Sequence, residues 1–477
     1  MDRPNIITPV LHFDLSKQGN TYTMVLMVTS TAIGGNLQYG YNLAIMNAPT
    51  VFIQNFVNET YMERWGIQLG VYEVTLIWTF IVSIFSLGGF IGALIAGQMS
   101  FLPGIIINHF LWLYSGMNVQ PMYFGESAPK HLRGAVSLSS AVFTSFGLVL
   151  GQVVCLREFL GSEPYWQYLF ARNAIPGLIQ LLTLPWFPES PRYLLIDCGD
   201  KEACLMALQR LQGCEVQREE LDEILQEQNE TKGERAKQPW ELFTDCSVCW
   251  QLITVAVLSS AMQLCGNDSK SKRFYASYVF QEAGISAGQI QYVTIGTGVC
   301  EFTTCILCNL LIERLGRRLM LTGVYVLMAG WAVVFTVALS LEVCFIHMTC
   351  IFTYILSFGL GPAGVTGILP TEIFNQTTRP GVYMAAGSLM WLNLFIIGMI
   401  FSFLVSGLGQ YCFLPFGAVC LLTASYIQKV LPETKGKTLS MITKEFYRLS
   451  YCGQVKMDPE GKQAQYQLGE IFHSTAL

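Results

Sequence analysis

Three side chains stand out because groups able to make hydrogen bonds are scarce around them. Gln152 in Gly147-Leu-Val-Leu-Gly-Gln152, Gln263, and Trp391 in Ser388-Leu-Met-Trp391-Leu-Asn393 all lie inside long apolar runs. A carboxamide donates and accepts without carrying charge, and an indole offers a flat apolar face with one N–H. Together they suit a neutral, hydroxyl-bearing ligand that must be held in place of water and then released. The carboxamides read equally well as interhelical hydrogen bonds, which contribute about 0.6–2 kcal/mol in a membrane. Trp391 sits about ten residues inside its run, too deep for an interfacial aromatic belt. Asn393 beside it is the weaker candidate.

Carboxylates form a second group. Asp268, next to Asn267, and Glu301 stand within apolar stretches where burial would either neutralise them or force pairing. Two readings follow: proton coupling or a cationic ligand, and, favoured, an ion pair of Glu301 with Lys270 or Lys272. A third group, Glu126, Arg133, Glu189, Arg192, Glu313, Arg317, Arg318, Glu372 and Arg379, recurs in short charged motifs at the ends of the apolar runs. Solvated loop charges of this kind usually contribute little. The sequence holds no Gly-rich phosphate loop, metal-ligand cluster or nucleophilic triad, so an enzyme or an ATP-driven pump has no support and no cofactor is expected.

The elements that must position these groups are membrane helices. The 477 residues are 52% hydrophobic and only 13% charged, with a mean hydropathy of +0.43, too few polar groups to surface a soluble protein of this size. A net charge of -5 without a basic tract gives no reason to expect nucleic acid. Runs of the length a spanning helix needs lie near 22–46, 72–98, 105–124, 136–156, 165–187, 250–280, 290–312, 319–341, 344–370, 382–404 and 409–431. Between Pro188 and Ser247 charged residues crowd together in helical patterns, which predicts an extramembrane linker, 188–247, between bundles 1–187 and 248–431, with a cytoplasmic tail 432–477. Most of the fifteen cysteines sit in apolar runs and read as free thiols.

Basic residues fall in alternate loops, at Lys130 and Arg133, in the linker, at Arg314, Arg317 and Arg318, at Arg379, and from Lys429 onward, and these loops should be cytosolic. Counting back from Lys130 places Asn58 in the cytosol too, although Asn58-Glu59-Thr60 is a glycosylation acceptor that suits the outside. The parity is wrong by one helix. Either 105–124 fails to cross, or a span is missing.

Five motifs occur in order at the cytosolic ends of these runs: Glu126-Ser-Ala-Pro129-Lys-His-Leu-Arg133-Gly134, Pro188-Glu189-Ser190-Pro191-Arg192, Glu313-Arg314-Leu315-Gly316-Arg317-Arg318, Glu372 with Arg379, and Pro432-Glu433-Thr434-Lys435-Gly436. The pattern resembles the sugar-porter branch of the major facilitator superfamily over nearly the whole chain. Gly34-Gly-Asn-Leu-Gln38-Tyr-Gly-Tyr41-Asn42 and Gly361-Pro362-Ala-Gly-Val-Thr-Gly367 narrow it to the fructose-handling class of facilitative glucose transporters. The resemblance implies an all-α, two-bundle membrane fold and facilitative hexose uniport by alternating access, as a multi-pass protein of the plasma membrane. It implies Gln152, Gln263, Asn267, Asp268, Glu301, Trp391, Asn393 and Gly367 around the sugar, with Gly367 in place of a second tryptophan and hence a wider pocket. It also turns the motif charges into salt bridges that close the cytosolic side. Expected partners are a hexose and membrane lipid, with a homo-oligomer left open.

Two departures accompany the resemblance. Sugar porters carry an Arg-x-Gly-Arg-Arg loop after the second of twelve spans, whereas here Gly97-Gln-Met-Ser100 runs into Phe101-Leu-Pro-Gly-Ile and the pattern resumes at Asn118-Val-Gln-Pro-Met-Tyr123. Roughly one helix and its basic loop are absent on the length scale of a span. Lys270, Lys272 and Arg273 also replace apolar residues. A transport-deficient form, retained in the endoplasmic reticulum or partnering a full-length transporter, is the competing expectation.

Overall fold

The computed structural model describes residues 22–99, 120–128, 133–212, 218–231, 239–266 and 289–451, less scattered positions within them, and every regular element among these is helical. The first apolar run forms α1 (Tyr22–Ala32) and α2 (Gln38–Asn47), joined by a π-helical turn at Ile33–Leu37. A helix not apparent from the sequence follows, α3 (Thr50–Trp65), which carries the acceptor Asn58. Next come α4 (Val71–Met99) and α5 (Arg133–Val154), then α6 (Trp166–Arg172) and α7 (Ala174–Thr183), which together occupy the predicted 165–187 run.

The charged stretch folds as short helices α8 (Pro191–Ile196), α9 (Lys201–Gln212), α10 (Arg218–Thr231) and α11 (Pro239–Thr244). Their apolar faces cluster Leu195, Cys204, Leu208 and Ile224, while Leu211 packs on Met24 and Met27 of α1. The linker is thus anchored to the bundle by side chains that its helical periodicity segregates from the charges.

The second half consists of α12 (Cys249–Leu264), α13 (Ile290–Leu315), α14 (Arg317–Ser340), α15 (Cys344–Leu360), α16 (Pro362–Ile373), α17 (Arg379–Leu408), α18 (Leu414–Val430) and an amphipathic tail helix α19 (Leu439–Tyr451). Gly361-Pro362 interrupts one long run into α15 and α16, since Pro supplies no N–H and suits a first helical turn. A single core joins α12 to α19, with Tyr325, Leu321, Met328, Val365, Leu369 and Ile427 fully or almost fully buried.

Seven helices among the described residues are long and apolar enough to cross a membrane, and Ala174–Thr183 and Cys249–Leu264 are shorter apolar helices. The run at 105–124 and the outer part of the 250–280 run, with Asn267, Asp268, Lys270, Lys272 and Arg273, lie outside the described residues. Among the described residues three helix pairs join the halves: α4 runs along α17, and α5 runs along α13 and meets α16. The described interface thus forms two seams, α4 with α17 and α5 with α13 and α16, and Gln152 and Trp391 fall on them.

Candidate functional site

Trp391 lies near the middle of α17, 1% exposed, with its indole edge-on to Tyr39 of α2 (5.4 Å between centroids, 87°) and Phe85 of α4 (5.6 Å, 75°). The second half thus presents this ring to the first. Gly89 of α4 makes the approach feasible, because a Cβ there would lie 2.3–2.5 Å from the fused-ring carbons. The indole N–H is buried with no partner among the described residues.

Gln152 repeats the arrangement with the halves exchanged. It lies near the end of α5, 6% exposed, and its carboxamide presses on Gly298 of α13, where a Cβ would stand 2.1 Å from Oε1. Its Oε1 also has no hydrogen-bond partner among the described residues. Leaving a buried polar group unsatisfied in this way costs about 1–3 kcal/mol, and both of these groups lie at the inter-half seams.

The other expected contacts divide. Gln263, 2% exposed, ends the buried face of α12. Asn393 spends its amide donor locally, on Ser260 Oγ (3.0 Å) and Leu389 O (2.8 Å), so it braces α17 against α12. Beside Gly367 the space a Cβ would fill is open, and its carbonyl accepts from the Tyr383 hydroxyl (3.0 Å). Glu301 lies half-buried on α13, and its proposed lysine partners fall outside the described residues.

Sequence reasoning missed several polar groups in the same region. Asn36, in the π-helical turn, donates its backbone N–H to Gln120 Oε1 (3.2 Å), and both terminal NH₂ groups are buried without partners among the described residues. Thr366, adjacent to Gly367, and Ser388, one turn before Trp391, hold buried hydroxyls of the same kind. Small hydroxyls in a span carry no distinguishing pattern, and only their positions across the seams would have singled them out.

At the opposite end the motif charges form a network in each half. In the second, Arg317 meets Glu372 through Nη2 (2.8 Å) and Nε (3.0 Å), and Thr434 donates to the other carboxylate oxygen (2.6 Å). Glu433 caps α14 by accepting from the backbone N–H groups of Arg317 (2.9 Å) and Arg318 (3.1 Å). Gly316, at φ 88°, is required on two counts, since its conformation disfavours other residues and a Cβ would collide with Glu433. Arg379 donates to the carbonyls of Thr371 and Phe374.

The first half echoes this network. Ser190 donates to Glu126 (2.6 Å) as Thr434 does to Glu372, from the matching Pro-Glu-Ser and Pro-Glu-Thr motifs. Glu189, the counterpart of Glu433 in the matching motif, is exposed. Arg192 is buried, and the side chains of Arg133 and Glu313 lie outside the described residues.

The family model "Sugar (and other) transporter" matches residues 27–105 and 115–446. Human solute carrier family 2, facilitated glucose transporter member 11, is 46% identical over 466 residues, covering 90% of this chain and 94% of that protein. Mouse member 5 of the same family is 37% identical over 464 residues, with 89% and 92% covered. Ninety per cent of 477 residues is about 429, so about 37 of the 466 aligned positions in the human relative have no residue here. The break in the family match at 106–114 falls at the expected gap. Among solved structures, the proton:xylose symporter XylE bound to 6-bromo-6-deoxy-D-glucose superposes with a TM-score of 0.75 at 22% identity, covering 90% of this chain and 99% of that one. That likeness shows that the two chains share a fold.

Proposed function

The chain belongs to the sugar transporter family, and from that premise we propose that it carries hexoses, glucose and fructose among them, across the plasma membrane by facilitative uniport. The bundles 1–187 and 248–431, joined by the cytoplasmic linker 188–247 and followed by the tail 432–477, rock about a central sugar site. The observation that carries the proposal is the exchange across the seams. Gln152 from one half and Trp391 from the other are buried at the interface with a polar atom that has no partner among the described residues. Sugar hydroxyls supply what those atoms lack, and the indole offers its face to the C–H side of the ring.

Gln263 lines the same site from α12, and the open space at Gly367 favours tolerance among hexoses. Asn267, Asp268 and Glu301 complete the proposed sugar contacts, and the charged motifs close the cytosolic end in alternation. For uniport, the supporting feature is the first span, which holds no Asp or Glu from Tyr22 to Met46 that could carry a proton.

Purified protein in liposomes tests the reading. Labelled glucose or fructose is expected to equilibrate without accumulating under an inward proton gradient, because no gradient biases the two states. Accumulation abolished by a protonophore would replace uniport with symport and bring Glu301 and Asp268 forward as carriers.

A further inference from the structure

On the α5–α13 seam the two halves meet twice near the external end. At the rim the Tyr292 hydroxyl donates to Glu158 Oε1 (2.8 Å), joining α13 to the loop after α5. About two turns further in, the Gln152 carboxamide fills the notch over Gly298. The external side of this seam is therefore closed in the conformation described. From this we infer that Gly298 is the seat for Gln152, so that one carboxamide serves in turn as sugar contact and as the bolt of the outer closure.

The inference rests on the reading of Gln152 as a sugar contact and deepens it. Seated on Gly298, the carboxamide oxygen is buried and makes no hydrogen bond among the described residues. Engaged with a sugar hydroxyl, it cannot occupy the notch. A sugar arriving from outside therefore competes with Gly298 for the same group, and binding withdraws the bolt. Gly298 acts as a positioning residue that sets how often the outside opens and how tightly external sugar is held.

The geometry makes this testable without damaging the fold. An alanine Cβ at 298 would meet Gln152 Oε1 at 2.1 Å, Cδ at 3.0 Å and Nε2 at 3.2 Å, all in the terminal amide of a flexible side chain. Gly298→Ala thus turns the amide away and leaves the helices in place. At Gly89, by contrast, the colliding atoms belong to the rigid Trp391 ring.

The experiment uses the full chain in liposomes and reads two quantities. One is the ratio of exit to entry half-saturation for glucose. The other, measured without sugar, is the yield of a short bismaleimide cross-link in the E158C/Y292C background, identified by mass spectrometry of the joined peptides so that native cysteines do not interfere. Gly298→Ala is expected to raise the ratio and to lower the cross-link yield, each by about threefold or more. Gln152→Asn, whose shorter amide does not reach the seat, should loosen the rim in the same way, and Q152N/G298A should restore the cross-link because the new Cβ fills the space the missing methylene leaves. An unchanged yield in both single variants, or no recovery in the double variant, would overturn the inference. Failure of the sugar-contact reading is separate: it would appear as normal uptake by Gln152→Ala, whatever the cross-link shows.

Discussion

Asn393 and Trp391 lie two positions apart on α17, yet the first has a partner for its donor and the second has none among the described residues. That difference ranks them. Trp391→Leu and Gln152→Ala are each expected to lower hexose uptake about tenfold or more at unchanged surface amount, since each removes a desolvated contact that water does not replace. Asn393→Ala should cost far less, appearing in thermal stability before uptake; equal losses in all three would dissolve the distinction. Glu158 stays ionised across the neutral range. The N–H at its own position, then the Tyr292 hydroxyl, hold its carboxyl below the usual carboxylate range. A group with a depressed pKa contributes fully above its unperturbed value, near ~4.3 for Glu, and loses that contribution as pH falls through the folded value. The exit-to-entry ratio should therefore stay level from about pH 7 to about pH 5 as far as Glu158 is concerned. A drift that Glu158→Gln abolishes would contradict this. Gln152 and Trp391 were legible in the sequence because a carboxamide or indole interrupts an apolar run. Gly89 and Gly298 were not, since a glycine in a span means only a place for something close, and that something lies on another helix.

Long apolar runs announced most of the spanning elements, and the structure places α4, α5, α13, α14 and α17 close to their expected limits. Where the sequence was silent, apolar content was a poor guide. Helix α3 mixes polar and apolar residues without a clean stripe, and the π-helical turn between α1 and α2 leaves no mark on composition. The crossing of the first span with α5 is also a matter of close approach. A Cβ on Gly40 would lie 1.9 Å from the Thr144 carbonyl oxygen, and one on Gly147 would lie 2.0 Å from that of Leu37. Both collisions are with backbone, so relief requires the helices to separate, and overpacking of this kind costs about 1–3 kcal/mol or more. Gly40→Ala and Gly147→Ala are each expected to lower the melting temperature and the yield of monodisperse protein in detergent, whereas Gly298→Ala leaves both near those of the parent. Fluorescence-detected size exclusion with a thermal ramp checks this, and three equal melting temperatures would show that these crossings tolerate more room than the backbone geometry allows.

At the scale of the molecule, the two halves hold the same device in unequal states of completeness. Glu126 with Ser190 mirrors Glu372 with Thr434, but Glu433 caps a helix that follows a basic loop, and the family resemblance implies that the first half lacks the equivalent loop. The charge pattern bears on the same region by parity, which is wrong by one crossing between Asn58 and Lys130. Positive-inside charges from Lys130 onward and an external acceptor at Asn58 are compatible only if 105–124 does not cross. Pro103, Asn108, His109 and Asn118 weaken that run for insertion, which favours this outcome. In cells, Asn58 is therefore expected to carry a glycan while the 188–247 linker remains open to protease only from the cytosolic face. Restoring a basic loop and a spanning helix between Ser100 and Asn118 should raise both surface amount and hexose uptake, because Glu189 then regains a helix terminus to cap and the first bundle its full complement of helices. An unglycosylated Asn58 with a cytosolic linker would mean that 105–124 crosses after all. Uptake equal to that of the restored protein would mean that the first bundle closes without the loop, and that the Glu433 cap in the second half has no required counterpart.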